Sequence, residues 1–246
     1  MRRLIVAGMI AVMMGCGSSP VEWGSISAGE LPPARPARFM PAPSAEACPT
    51  SMAITASGRV HFAAWFESSG DSSVILRGSH TGGDAAWTPS VIIDSTDHGS
   101  RGCARPPPAI AADSTSGYVH VAWFAEPSAG AGVFFAHSMD GAMTFHAPVA
   151  IVYGRNPSRT SVASRGDRVA VAFEDPNAVQ PLIAIALSRT MGHIFEERLT
   201  ATPDNGRARQ PIVRLEGDSV RLWWSEYSDD PTISMTRPMY RSGSWK

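Results

Sequence analysis

Two sets of landmarks recur along this chain on the same beat, and together they restrict its fold more than any other feature. The runs Val60-His61-Phe62-Ala63-Ala64-Trp65, Val119-His120-Val121-Ala122-Trp123, Val169-Ala170-Val171-Ala172-Phe173 and Val220-Arg221-Leu222-Trp223-Trp224 begin 59, 50 and 51 residues apart. The aromatics Trp87, Phe145, Phe195 and Trp245, each placed after a serine-led polar turn, lie 58, 50 and 50 residues apart. Two independent landmarks sharing one period mark internal repeats.

Each unit parses alike. A proline-led apolar stretch such as Pro108 to Ala112 is followed by a polar turn (Ser114 to Gly117), the β-branched and aromatic run, and a second strand such as Val133 to Ala136. A serine-led turn and a last strand such as Ala147 to Val152 complete it. Short Val, Ile, Phe and Trp runs bounded by Gly, Pro, Ser and Asp read as strands, and no segment carries a 3.6-residue period. The expected fold is all-β: a β-propeller of about four four-stranded blades over residues 47–246, an architecture that hides most sheet edges.

The turn Ser138-Met139-Asp140-Gly141-Ala142-Met143-Thr144-Phe145 reads S-x-D-G-A-x-T-F. Weaker copies run from Ser79 to Trp87, from Ser188 to Phe195 and from Ser234 to Trp245, and the third unit lacks the aspartate. The central copy resembles the Asp-box (bacterial neuraminidase repeat) turns of sialidase-type β-propellers. The resemblance implies a structural box in which Ser138 and Asp140 bond the backbone of their own turn, Gly141 supplies an unusual φ, and Phe145 returns the chain to the core. In that family the boxes lie away from the active face.

At the active face the family grips a substrate carboxylate with an arginine cluster, one member of which comes from an R-I-P motif. Here Arg105-Pro106-Pro107 and Arg155-Asn156-Pro157 each stand 14 residues before a repeat valine, and Arg209-Gln210-Pro211 stands 11 before Val220. Arg105, Arg155 and Arg209 are therefore the candidate ligand-binding residues, since a planar guanidinium can hold a carboxylate through two bonds. The alternative is that these are exposed loop arginines beside strand-starting prolines. Sialidase catalysis also needs a tyrosine nucleophile, a glutamate and an aspartate. None of Tyr118, Tyr153, Tyr227 or Tyr240 sits in a matching context, and four units are fewer than the six blades of a sialidase. The acids Glu67, Glu126, Glu174 and Glu226 recur after the β-branched run, as the repeat alone would produce. The expected role is a binding or scaffolding module for a glycan or protein; the alternative is an exo-sialidase-like glycoside hydrolase acting on sialic-acid-type sugars.

The N-terminus places the chain. Arg2 and Arg3, an apolar run from Leu4 to Met14 and Gly15-Cys16 describe a secretory signal over residues 1–15, too short to span a bilayer as a mature helix. Cys16 after Gly15 resembles a bacterial lipobox, which implies lipidation of Cys16 and attachment to the outer membrane; an ordinary cleaved signal is the alternative. Residues 16–46, rich in proline, read as a tether, with 21–27 an equal candidate for the strand that closes the last repeat. Loss of Arg2 and Arg3 leaves 19 basic residues against 22 acidic ones, no basis for a nucleic-acid partner. Cys48 and Cys103 precede the opening strands of successive units, and an oxidising compartment permits a bridge between them. The seven histidines form no ligand cluster by spacing, so no metal site and no cofactor are expected. Monomer and homodimer remain equally open.

Overall fold

A computed structural model describes residues 19–33, 44–70, 72–82, 86–227 and 236–246. The signal run, Cys16, the middle of the proline-rich segment, and Ser234-Met235 lie outside these residues. Among the described residues every regular element is a strand.

The strands form four antiparallel sheets. The first contains β3 (Ala53–Ser57), β4 (Val60–Ser68), β5 (Val74–Gly82) and β6 (Val91–Asp94), and the second β7 (Ala109–Ala112), β8 (Val119–Ala125), β9 (Gly132–Ser138) and β10 (Val149–Tyr153). The third contains β11 (Thr160–Arg165), β12 (Arg168–Glu174), β13 (Ile183–Ser188) and β14 (Glu197–Thr200). In the fourth, β15 (Ala208–Glu216), β16 (Ser219–Tyr227) and β17 (Thr236–Trp245) are completed from the other end of the chain by β1 (Val21–Trp23) and β2 (Ser27–Ala28). The register Val21↔Trp245, Trp23↔Gly243 and Tyr240↔Ser27 makes one bent outer strand of β1 and β2. Residues 19–33 are thus partly built into the domain.

The landmark runs are apolar on both faces because their strands have sheets on both sides. On β12, Val169, Val171 and Phe173 pack towards the second sheet while Ala170 and Ala172 pack towards the fourth, as side chains of period two must. On β8, Val121 and Trp123 turn to the first sheet and Ala122 to the third. The closing aromatics follow one rule. Phe145 packs into the cluster shared by the first and second sheets, Phe195 into that of the second and third, and Trp245 into that of the third and fourth. Buried side-chain hydrogen bonds join the same neighbours: the Trp123 indole donates to Asp94 Oδ2 at 3.2 Å, and the Gly166 amide donates to Asp113 Oδ2 at 3.0 Å.

The innermost strands stand side by side in the order β3, β7, β11, β15. They line a central cavity of about 400 Å³ that Pro32 and Pro33 also border, and the Pro33 carbonyl accepts from Arg214 Nη2 at 3.2 Å.

Cys48 and Cys103 are bonded across a separation of 55 residues, fastening the start of the first repeat to that of the second. Cys48 belongs to the core between those sheets. Closing a loop of this size restricts the unfolded chain, so the double change Cys48→Ser, Cys103→Ser is expected to lower the stability by about 2–4 kcal/mol. Urea midpoints of the oxidised protein and the variant measure this. Equal midpoints would show that the bridge contributes nothing.

Candidate functional site

Three places hold the chemistry raised by the sequence: the box turns, the mouth of the central cavity, and a group of histidines between the second and third sheets.

The box at Ser138 closes on itself. Ser138 Oγ donates to Asp140 Oδ1 at 2.8 Å and accepts the Ala142 amide at 2.8 Å. Asp140 Oδ1 accepts the amides of Met143 and Thr144 at 3.0 and 2.9 Å, and Oδ2 accepts the Thr144 hydroxyl at 2.6 Å. Burial pushes the Asp140 carboxyl up, but the hydrogen bonds from Thr144, Ser138 and Met143 outweigh it and bring the group down to about 2. Gly141 and Ala142 are both left-handed, at φ 71° and 68°, so the alanine occupies a conformation that suits glycine better. In the third repeat, Thr190 stands in for the missing aspartate, its Oγ1 accepting the Ile194 amide at 2.9 Å.

The three arginines singled out by their triplets do not act together. Arg105 is the correction: its side chain is wholly buried. Nη1 lies 2.5 Å from Asp97 Oδ2, Nη2 donates to Oδ1 at 3.2 Å, and Nε donates to the Gly102 carbonyl at 2.7 Å. Asp97 also accepts the amides of Gly99 and Glu126 at 3.1 and 2.8 Å. Arg105 is therefore committed to fastening the loop after β6 to the end of β8. Arg155 and Arg209 are exposed, and among the described residues neither has a partner. Arg155 lies with Tyr153, itself 54% exposed, in a cleft of about 460 Å³ between the second and third sheets. Arg209 is on β15 and borders neither this cleft nor the cavity mouth.

The mouth is a second cleft, of about 310 Å³, where inner strands begin; it is lined by Pro107, Arg159, Thr160, Gln210 and Ser225 among others. Arg159 is exposed and unpaired among the described residues. The loop 154–159 runs from the Tyr153 cleft to this one. It is pinned where Glu174 accepts the amides of Gln210 at 2.8 Å and Arg159 at 3.5 Å, drawing the third and fourth repeats together. The other recurring acids are engaged likewise: Glu67 with Ser44, Trp65 and Arg77, Glu126 with Arg101, and Glu226 with the Trp224 indole.

Spacing concealed the histidines. His137, at the end of β9, His146, just past the box aromatic, and His193, in the next box turn, bring one ring nitrogen each to within 4.8 Å of the others. The sequence reading of scattered histidines is corrected here, because the three come from two repeats. Aligning Ser138 with Ser188 places His193 in a box turn, and this is the signal from which their meeting could have been read. His137 is buried, and its Nε2 has no hydrogen-bond partner; His146 and His193 are exposed. Behind them His120 is fully buried with both ring nitrogens unpartnered. Burial, then the neighbouring His137, push His120 down to about 3 against the pull of Asp113; burial, then His193 and His146, push His137 down to about 4. Both rings are neutral at pH 7.

This all-β arrangement of separate four-stranded sheets has counterparts among solved structures. An α-L-arabinanase of Penicillium chrysogenum in complex with arabinobiose superposes with a TM-score of 0.55 at 14% identity, over 82% of this chain and 63% of that one. The Hadza microbial sialidase Hz136 superposes with a TM-score of 0.51 at 16% identity, over 72% of this chain and 42% of that one. The likeness is one of fold, that of the propeller glycosidases, and this chain spans less than two thirds of either enzyme. No protein-family model matches the chain, and no curated protein does.

Proposed function

We propose that the chain is a carbohydrate-binding β-propeller of four blades, tethered to the bacterial outer membrane through a lipidated Cys16, with its ligand face at the cavity mouth. Arg159 is the principal contact, and Tyr153 with Arg155 forms an adjoining platform. One observation carries this reading: the mouth offers a free guanidinium, an amide and hydroxyls, but its lining contains no carboxylate. The nearest acid, Glu174, is occupied with two loop amides. Glycoside hydrolysis ordinarily needs two carboxyl groups across the scissile bond, or in sialidases a tyrosine beside a glutamate. Binding needs only complementary donors and an aromatic face. A guanidinium favours sugars bearing a carboxylate, so acidic glycans are the expected ligands. The likeness to a sialidase and an arabinanase supports a carbohydrate over a protein as the partner.

The test uses the full chain in detergent against an immobilised glycan library, with fluorogenic sialosides and arabinosides assayed in parallel. Retention of acidic glycans that Arg159→Ala weakens at least tenfold, without turnover, is expected. Turnover would replace this reading with that of a hydrolase, and failure to retain any glycan would leave protein scaffolding. A Cys16→Ser chain that still fractionates with the membrane would remove the lipid anchor.

A further inference from the structure

We propose that His137, His146 and His193 bind one divalent transition-metal ion of the zinc class, clamping the box turn of the third repeat onto the second. Their ring nitrogens already lie within 4.8 Å of one another. Tetrahedral zinc holds nitrogens at about 2.0–2.1 Å, so donors sit about 3.3 Å apart when bound. Closing by about that difference requires only rotation of His146 and His193, which are exposed and free to turn, towards the fixed His137. An all-imidazole donor set suits Zn²⁺, Cu²⁺ or Ni²⁺ and disfavours Ca²⁺ and Mg²⁺, which prefer oxygen.

Two further observations point to a ligand. The buried Nε2 of His137 has no partner within the protein, a costly state for a polar atom that a metal lone-pair acceptor would relieve. Gly192, at φ 88°, allows the third box turn to reach this place, since a Cβ there would stand 2.5 Å from Phe135 Cζ. The close approach that creates the cluster is thus built into the backbone. Ring stacking alone would account for His137 against His146, whose centroids are 4.4 Å apart. It would not require His193 to meet the same ring edge-on at 4.4 Å with all three nitrogens converging.

The site is distinct from the proposed ligand face. The box turn joins β9 to β10 at one end of the hairpin, whereas the pair Gly132↔Tyr153 lies at the other. Exposure of two donors leaves a fourth coordination position to water. Because His193 belongs to the third repeat and the other two to the second, a bound ion would cross-link neighbouring sheets, and the expected effect is on stability.

An untagged full chain, stripped with EDTA, is titrated with Zn²⁺ by calorimetry. One ion per chain is expected. His146→Ala and His193→Ala, both at exposed positions, should each weaken it at least tenfold while leaving the circular dichroism spectrum unchanged. Zn²⁺ should raise the urea midpoint of the parent and of neither variant, and Ca²⁺ and Mg²⁺ should raise none. Absence of Zn²⁺ uptake, or uptake equal in the parent and both variants, would overturn the proposal.

Discussion

Replacement of Arg105 by methionine is expected to destabilise the protein by about 3–5 kcal/mol, the range for removing one member of a buried ion pair. The side chains of Arg105 and Asp97 are 0% and 3% exposed. Without the guanidinium, the Asp97 carboxylate stays buried with two backbone amides as its remaining donors. The Gly102 carbonyl, beside the disulfide, also loses its donor. Lysine should recover only part of the loss, because an ammonium cannot span both carboxylate oxygens and the carbonyl as the planar fork does. Asp97→Asn should weaken the protein in the same direction, and Arg105→Met with Asp97→Asn should cost less than the two changes summed, since neither charge is then left alone. Urea midpoints of the four variants decide the matter. If Arg105→Met unfolds with the parent while losing ligand, Arg105 serves recognition and the structural role fails.

Arg105 also illustrates what the sequence could and could not disclose. The triplets at Arg105 and Arg155 look equivalent, and both stand 14 residues before a repeat valine. Their environments differ because Asp97, in the loop that follows β6, reaches only the first of them. A local motif does not contain its partner. The period, by contrast, is read by the whole chain: the 50-residue beat places four inner strands in succession, and the doubly apolar runs β8 and β12 announce strands covered on both faces. The bridge between Cys48 and Cys103 was legible for the same reason, since both cysteines occupy one repeat position. Arg159 escaped notice because it stands beyond the proline of its triplet. The histidines escaped because residues nine and 56 positions from His137 meet only when box turns of neighbouring repeats are superposed. Contacts within a repeat were legible; those between repeats required the packing.

Acid should weaken the fold steeply and for an identifiable reason. His120 is fully buried, faced by His137 and Phe135 on β9, by Tyr118 on its own side, and by Asp113 and His193 from adjoining turns. Desolvation holds it down to about 3, against 6.5 in an unfolded chain. Between those values the unfolded state takes up a proton that the folded state refuses, so stability falls as the pH falls. Above pH 6.5 the ring is neutral in both states and contributes no slope. Each pH unit within the window costs about 1.4 kcal/mol for such a group, which amounts to about 3 kcal/mol between pH 6.5 and pH 4. His137, pushed down to about 4, acts in the same direction, and by less because exposed imidazoles lie against it. Asp113 adds to the trend at lower pH. Burial raises its carboxyl, but hydrogen bonds from Thr115, Ser116 and Gly166 prevail and hold it below its ordinary value, so the stability it contributes is lost as pH falls through that lowered value. Urea unfolding in EDTA at pH 7 and pH 4 measures the loss, and His120→Leu supplies the control, since it removes the titrating ring and leaves an apolar side chain in an apolar place. The variant should lose about 3 kcal/mol less than the parent over this interval. Parallel losses in the two proteins would mean that His120 does not carry the acid sensitivity.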